Sequence, residues 1–110
     1  MNTYSNVVRF IVKEGNEEKF LEVFDTFVTQ EGENYSMLVH TGEREYVAVG
    51  VWESEDAMVN ARPAMIGNLD QMREFLEEIS PELGLTDPRS GKIVAELSLI
   101  HISEPTRQFR

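Results

Sequence analysis

The chain has 110 residues, 41% of them hydrophobic, and its 20 Asp and Glu outnumber 10 Lys and Arg to give a formal net charge of −10. That length fits one domain, and the apolar share suits a packed interior rather than disorder. The charge argues against nucleic acid and anionic lipid as partners, since both are held by clustered basic residues. With no cysteine, disulfides, thiolate metal sites and cysteine nucleophiles are excluded. Met1 to Asn6 is short and polar, and no apolar run approaches a bilayer span, so a cytoplasmic protein is expected.

Val7 to Lys13 is short and rich in β-branched residues, which predicts a strand with Val8, Phe10 and Val12 on one face and Arg9 and Ile11 on the other. Gly15-Asn16 ends it, and Asn16 is placed to cap a helix over Glu17 to Gln30. In that helix Phe20, Val23, Phe24, Phe27 and Val28 form one apolar stripe, and Gly32 stops it.

Tyr35 to Thr41 and Glu45 to Trp52 predict a hairpin around Gly42. Val47, Val49 and Val51 share one face of its second strand, and Tyr46, Ala48, Gly50 and Trp52 the other. Neither face is polar, so both require cover. One face takes the helices. The simplest cover for the other is the same sheet of a second copy, which predicts a homodimer.

Ser54 is a natural N-cap, and Met58, Ala61, Met65, Leu69, Met72, Leu76 and Ile79 step along at helical spacing. Pro63 should split that helix just before itself, and Ser80-Pro81 should close it. Gly84 to Gly91 has turn chemistry, and Lys92 to Glu96 is expected to form a last strand. The order β-α-β-β-α-β is the α+β, ferredoxin-like arrangement of four antiparallel strands with helices on one face. An RNA-recognition domain shares it, but Val47 to Val51 offers neither exposed aromatics nor basic residues to a nucleic acid.

The C-terminal stretch is of another kind. Leu97 to Arg107 (LSLIHISEPTR) resembles the translation of a transposon-based sequencing adapter read through in frame. The expected domain is therefore 1–96, with 97–110 a non-native tail, and His101 is set aside as a functional residue.

Three segments carry a family resemblance: Val51-Trp52-Glu53-Ser54 ahead of an acidic helix start, Ala61-Arg62-Pro63-Ala64-Met65-Ile66, and Ser80 to Pro88 (SPELGLTDP). With the element order, they are similar to bacterial members of the antibiotic biosynthesis monooxygenase type of dimeric α+β barrel. The resemblance implies a homodimer formed through the open sheet faces and a cavity between helices and sheet that takes a small molecule. Some relatives oxidise phenolic or anthrone-like polyketides with dioxygen and no cofactor; others degrade haem or isomerise lactones. For this chain no cofactor and no metal are implied.

Cofactor-free oxygenation requires a pocket that holds a phenol or enol, helps to deprotonate it and steadies the anion. The candidate catalytic residues are Trp52 as a wall and indole donor, Arg9 as a positive charge in an apolar strand, and His40 as a base. Tyr46, Asn60 and Arg62 are the candidate substrate-binding residues. Each has a structural alternative. Trp52 suits a core, Arg9 an ion pair with Glu across a dimer, His40 an exposed hairpin end, and Asn60 and Arg62 a helix surface or cap. Haem degradation would need a histidine on the second helix and an asparagine on the first strand. Ser54 to Ile79 holds no histidine, and Val7 to Lys13 no asparagine. A non-catalytic binding or dimerisation module of the same fold is the competing function.

Overall fold

The computed structural model, which describes residues 2–97, contains four strands. Strand β1 runs over Tyr4–Ile11, β2 over Glu33–His40, β3 over Glu45–Trp52 and β4 over Asp87–Lys92. They form one antiparallel sheet in the order β2-β3-β1-β4, with helices packed on one face, as the ferredoxin-like arrangement requires.

Several boundaries differ from expectation. β1 begins three residues early, which brings Tyr4, Ser5 and Asn6 into the sheet. β4 is not Lys92 to Glu96 but the preceding turn-like stretch, DPRSGK. It pairs only with β1, with Pro88 opposite Val8, and an edge position is where a strand tolerates a proline. Residues 93–97 continue without strand structure, tied by Ile93 N–H to the Thr3 carbonyl at 2.9 Å and by Asn2 Nδ2 to Glu96 Oε2 at 2.8 Å. All of the adapter-like stretch except Leu97 lies outside the described residues.

Helix α1 covers Glu17–Phe24, shorter than its apolar stripe suggests. Asn16 gives no side-chain cap; instead the Glu17 carboxylate takes the Gly15 N–H at 3.1 Å. The far end tightens early, where Thr26 N–H and Oγ1 both bond the Val23 carbonyl and Phe27 N–H bonds Phe24. Phe27 and Val28 therefore leave the helix. Gly32 does not terminate it, but sits at φ +84 in the turn before β2, where an added Cβ would collide with Ala57.

The second helical region splits as Pro63 demands. α2 covers Glu55–Asn60, with Ser54 Oγ accepting the Ala57 N–H at 3.1 Å, and α3 covers Arg62–Met72 with the proline in its first turn. A 3-10 turn over Arg73–Phe75 follows, after which Leu76 is extended and bridges Val12. The expected continuation to Ile79 is cut short because Leu76 is pulled into the sheet edge.

The core consists of two separate clusters. Phe10, Val12, Phe20, Tyr46, Met72, Phe75 and Leu76 form the larger one, under α1 and the end of α3. Trp52, Met58 and Ala61 form the smaller, under α2. Phe20 is fully buried and meets Phe10, Phe24 and Tyr46 ring to ring at 5.2–6.2 Å. Phe20→Ala is expected to cost about 3–5 kcal/mol, whereas ending the chain after Glu96, where the expected domain ends, is expected to cost almost nothing. Urea unfolding of both variants checks this: a large loss of midpoint in the first and almost none in the second.

Candidate active site

Between the two clusters lies a cavity of about 610 Å³. Its walls are apolar: Phe24, Phe27 and Val28 from α1 and the loop after it, and Met58, Met65, Leu69 and Met72 from α2 and α3. The methionines line the space and leave it open.

The floor comes from the sheet, and register decides its chemistry. Ser36 pairs with Gly50, Gly50 with Asn6, and Asn6 with Ser90, so a row of small and polar residues crosses all four strands on the helix side. The next row, Leu38, Ala48, Val8 and Pro88, is apolar. Ser36, Gly50, Asn6 and Ser90 all line the cavity.

Gly50 is the low point of that row. A Cβ there would overlap Asn6 Oδ1 and lie 2.9 Å from Trp52 Nε1 and 3.2 Å from Glu33 Oε2. Three polar atoms therefore converge where β3 has no side chain. Trp52 is wholly buried, and its Nε1 donates to Asn6 Oδ1 at 2.7 Å. An indole N–H can only donate, so the amide oxygen must face it and the Asn6 NH2 must face away. That NH2 has no partner among the described residues and is not buried, which leaves two donor protons on a cavity-lining side chain.

Glu33 enters through an irregularity. The β2–β3 register shifts between Glu33, opposite Trp52, and Tyr35, opposite Val51. A bulge of this kind re-aims a side chain next to a site. The Gln30 N–H donates to Glu33 Oε1 at 3.0 Å, and the Glu33 N–H returns a bond to the Gln30 carbonyl at 2.9 Å. Burial pushes the Glu33 carboxyl above its ordinary value, against the opposing pull of that Gln30 N–H.

The residues singled out from sequence are dispersed. Arg62 lines the cavity, exposed at the start of α3, and its side chain has no hydrogen bond or ion pair among the described residues. Trp52 lies behind the floor, as a core aromatic that orients Asn6. Arg9 is on the opposite face of the sheet, where it bonds Asp87 at 3.3 Å and approaches Glu45 at 3.6 Å within its own chain. Tyr46 is buried in the larger cluster. His40 stacks on Tyr46, 4.4 Å between ring centres, with Nε2 3.2 Å from the Glu43 carbonyl. Asn60 is exposed at the end of α2 and does not line the cavity. The site therefore does not unite Trp52, Arg9 and His40. It unites Asn6, Glu33 and Arg62, and two of these went unnoticed because β1 was started at Val7 and β2 at Tyr35.

The longer β1 also removes one of the two reasons for setting haem chemistry aside, since Asn6 is an asparagine on the first strand. The other stands, because Ser54 to Ile79 contains no histidine. Among the described residues no group of three or more metal-binding side chains is gathered, and no helix is long and apolar enough to cross a membrane.

Solved structures of related shape include an antibiotic biosynthesis monooxygenase-like protein from Chloroflexus aurantiacus, with TM-score 0.68, 10% identity, and 87% of this chain and 97% of that one covered. They also include SnoaB, a cofactor-independent oxygenase from Streptomyces nogalater, with TM-score 0.62, 23% identity and coverage of 90% and 98%. The chain shares their fold. A dimeric ferredoxin-like protein from an uncultured marine organism matches as well, with TM-score 0.68, 13% identity and coverage of 89% and 93%. No family model and no curated protein sequence matches the chain.

Two outcomes follow from the floor. Gly50→Ala is expected to cost about 1–3 kcal/mol by overpacking and to shift Trp52 fluorescence, because the methyl displaces the Asn6 amide from the indole. Glu33→Gln is expected to raise the melting temperature at neutral pH. An ionised carboxylate whose folded pKa is raised destabilises the fold, and this cost fades as pH falls below the ordinary carboxylate value, where Glu33 is protonated folded or unfolded. Melting curves across pH should show the gain in the variant shrink towards acid.

Proposed function

We propose that the chain is an enzyme of the cofactor-independent monooxygenase type, which binds a small phenolic or polyketide-like molecule in this cavity and oxidises it with dioxygen. The observation that carries this is the Asn6 amide, held by Trp52 with its donors free in a cavity walled by aromatic and sulfur side chains. A pocket of this size takes a fused-ring molecule. Apolar walls hold its rings, and fixed donors meet the oxygen on which charge develops. Arg62 supplies a full positive charge at the edge of the same space. The shared fold with SnoaB supports the class of reaction.

The balance of such a reaction closes without a further reductant. A methylene carbon between aromatic rings loses a proton, and the resulting enolate gives an electron pair to dioxygen to form a C–O bond. The hydroperoxide then loses water, taking the second hydrogen of that carbon, and a carbonyl remains. One oxygen atom ends in the product and the other in water.

The second copy belongs to the same proposal. Val7, Tyr35, Met37 and Val39 on the face away from the helices are 36–47% exposed, around Val47 and Val49. A homodimer through this face covers them, and the dimeric neighbour of the same fold supports it. Light scattering should give twice the 12.6 kDa chain mass, and Met37→Glu with Val39→Glu should halve it. A wild-type monomer stable at micromolar concentration would refute the dimer.

Oxygen uptake with a panel of anthrones, hydroquinones and related phenols tests the activity. Uptake is expected from wild type, with a loss of about 100-fold in Asn6→Ala, the scale of one oxyanion donor. No uptake from folded protein across the panel would shift the assignment to a binding module.

A further inference from the structure

We infer that Glu33 is the group that takes the proton from the bound molecule, a carboxylate base built into the bulge at the start of β2. This deepens the oxygenase reading of the cavity and rests on it.

Four observations converge on Glu33. It is the sole carboxylate among the described residues lining the cavity, and no histidine lines it. Its Oε1 is occupied by the Gln30 N–H, while Oε2 has no hydrogen-bond partner and is not buried. Oε2 lies over Gly50, in the same small space as the Asn6 amide that Trp52 orients. One molecule can therefore present a proton to Oε2 and a neighbouring oxygen to the Asn6 NH2. Finally, the side chain is held from both ends. The backbone of Glu33 is bonded to Gln30, and the preceding Gly32 carbonyl takes the Glu53 N–H at 2.8 Å. A base fixed in place loses little entropy on meeting its substrate.

The surroundings suit the role. The other charged side chain along the cavity is Arg62 of α3; Arg89 of β4 borders it, but pairs with Val7 in register and is engaged by Asp87 at 3.5 Å on the far face. The α1 side contributes Phe24 and the loop residues Phe27 and Val28, which are uncharged. A carboxylate in such apolar surroundings is a stronger base than one in water. The substrate class this selects carries an acidic C–H or O–H conjugated through a ring to a second oxygen, as in an anthrone or a peri-hydroxylated ketone. Proton transfer breaks the substrate's C–H or O–H bond, its electron pair stays on the substrate as an enolate or phenolate, and Glu33 becomes a neutral acid.

Hydrogen–deuterium exchange at the methylene of anthrone, followed by NMR in anaerobic D2O, separates this step from oxygenation. Wild type is expected to accelerate exchange, with a rate that rises with pH as Glu33 ionises. Glu33→Gln should lower the rate about 100-fold or more and flatten the pH dependence, with Trp52 fluorescence and cooperative melting retained. Failure of wild type to accelerate exchange, or exchange by Glu33→Gln at the wild-type rate, overturns the role of Glu33. Oxygen uptake by wild type alongside unimpaired exchange in the variant would overturn the base and leave the oxygenase standing. Glu33-dependent exchange without oxygen uptake would do the reverse.

Discussion

One buried indole N–H sets the chemistry of this molecule. Trp52 has no water to bond with, so its Nε1 must find an acceptor inside the protein or leave a desolvated donor unpaired, at a cost of about 1–3 kcal/mol. Asn6, across the sheet, supplies that acceptor. The bond fixes an otherwise ambiguous amide and points its donors away from the core. It also requires a glycine between the two, since any side chain at position 50 would occupy the space of the bond. Position 50 thereby becomes a hollow in the sheet, and the cavity sits over it.

The same constraint divides the core. A sheet whose helix face carried large apolar residues in every row would be sealed by α1, α2 and α3. Here the row of Ser36, Gly50, Asn6 and Ser90 lacks the volume to reach the helices, so Phe20 and its neighbours pack on one side, Trp52 and Met58 on the other, and space remains between. Stability comes from the two clusters, and the gap between them is the proposed site. On the opposite face the valines of β3 and the exposed side chains of β2 form an apolar surface, while Arg9 of β1 pairs with Asp87 of β4 and Glu45 of β3.

Much of the architecture was legible in the chain. β3 has the bounds its alternation predicts, Pro63 divides the second helical region, and Ser54 caps where expected. β4 was hidden because an edge strand with one partner needs no apolar run, and Asp87 to Gly91 reads as a turn. The site was less legible for a related reason. Asn6 shares the parity of Val8 and Phe10, and only the late start assigned to β1 kept it off the core face. Gly50 carried a signal too, as a glycine between Ala48 and Trp52 on a packed face marks a close approach. Glu33 had no such signal. Its position depends on a shift in strand pairing, which periodicity does not encode. Arg9 misled in the opposite way, since a charge in an apolar strand is equally at home in an ion pair on the far face.

The most direct test is a crystal structure with a hydroxylated anthraquinone, a fused-ring phenol that does not consume oxygen. The account places its rings between Phe27 and Met65, one oxygen within hydrogen-bond distance of Asn6 Nδ2 and another beside Glu33 Oε2. A ligand bound elsewhere, or a cavity closed by Met58 and Met65 in crystals of the soaked protein, would contradict it.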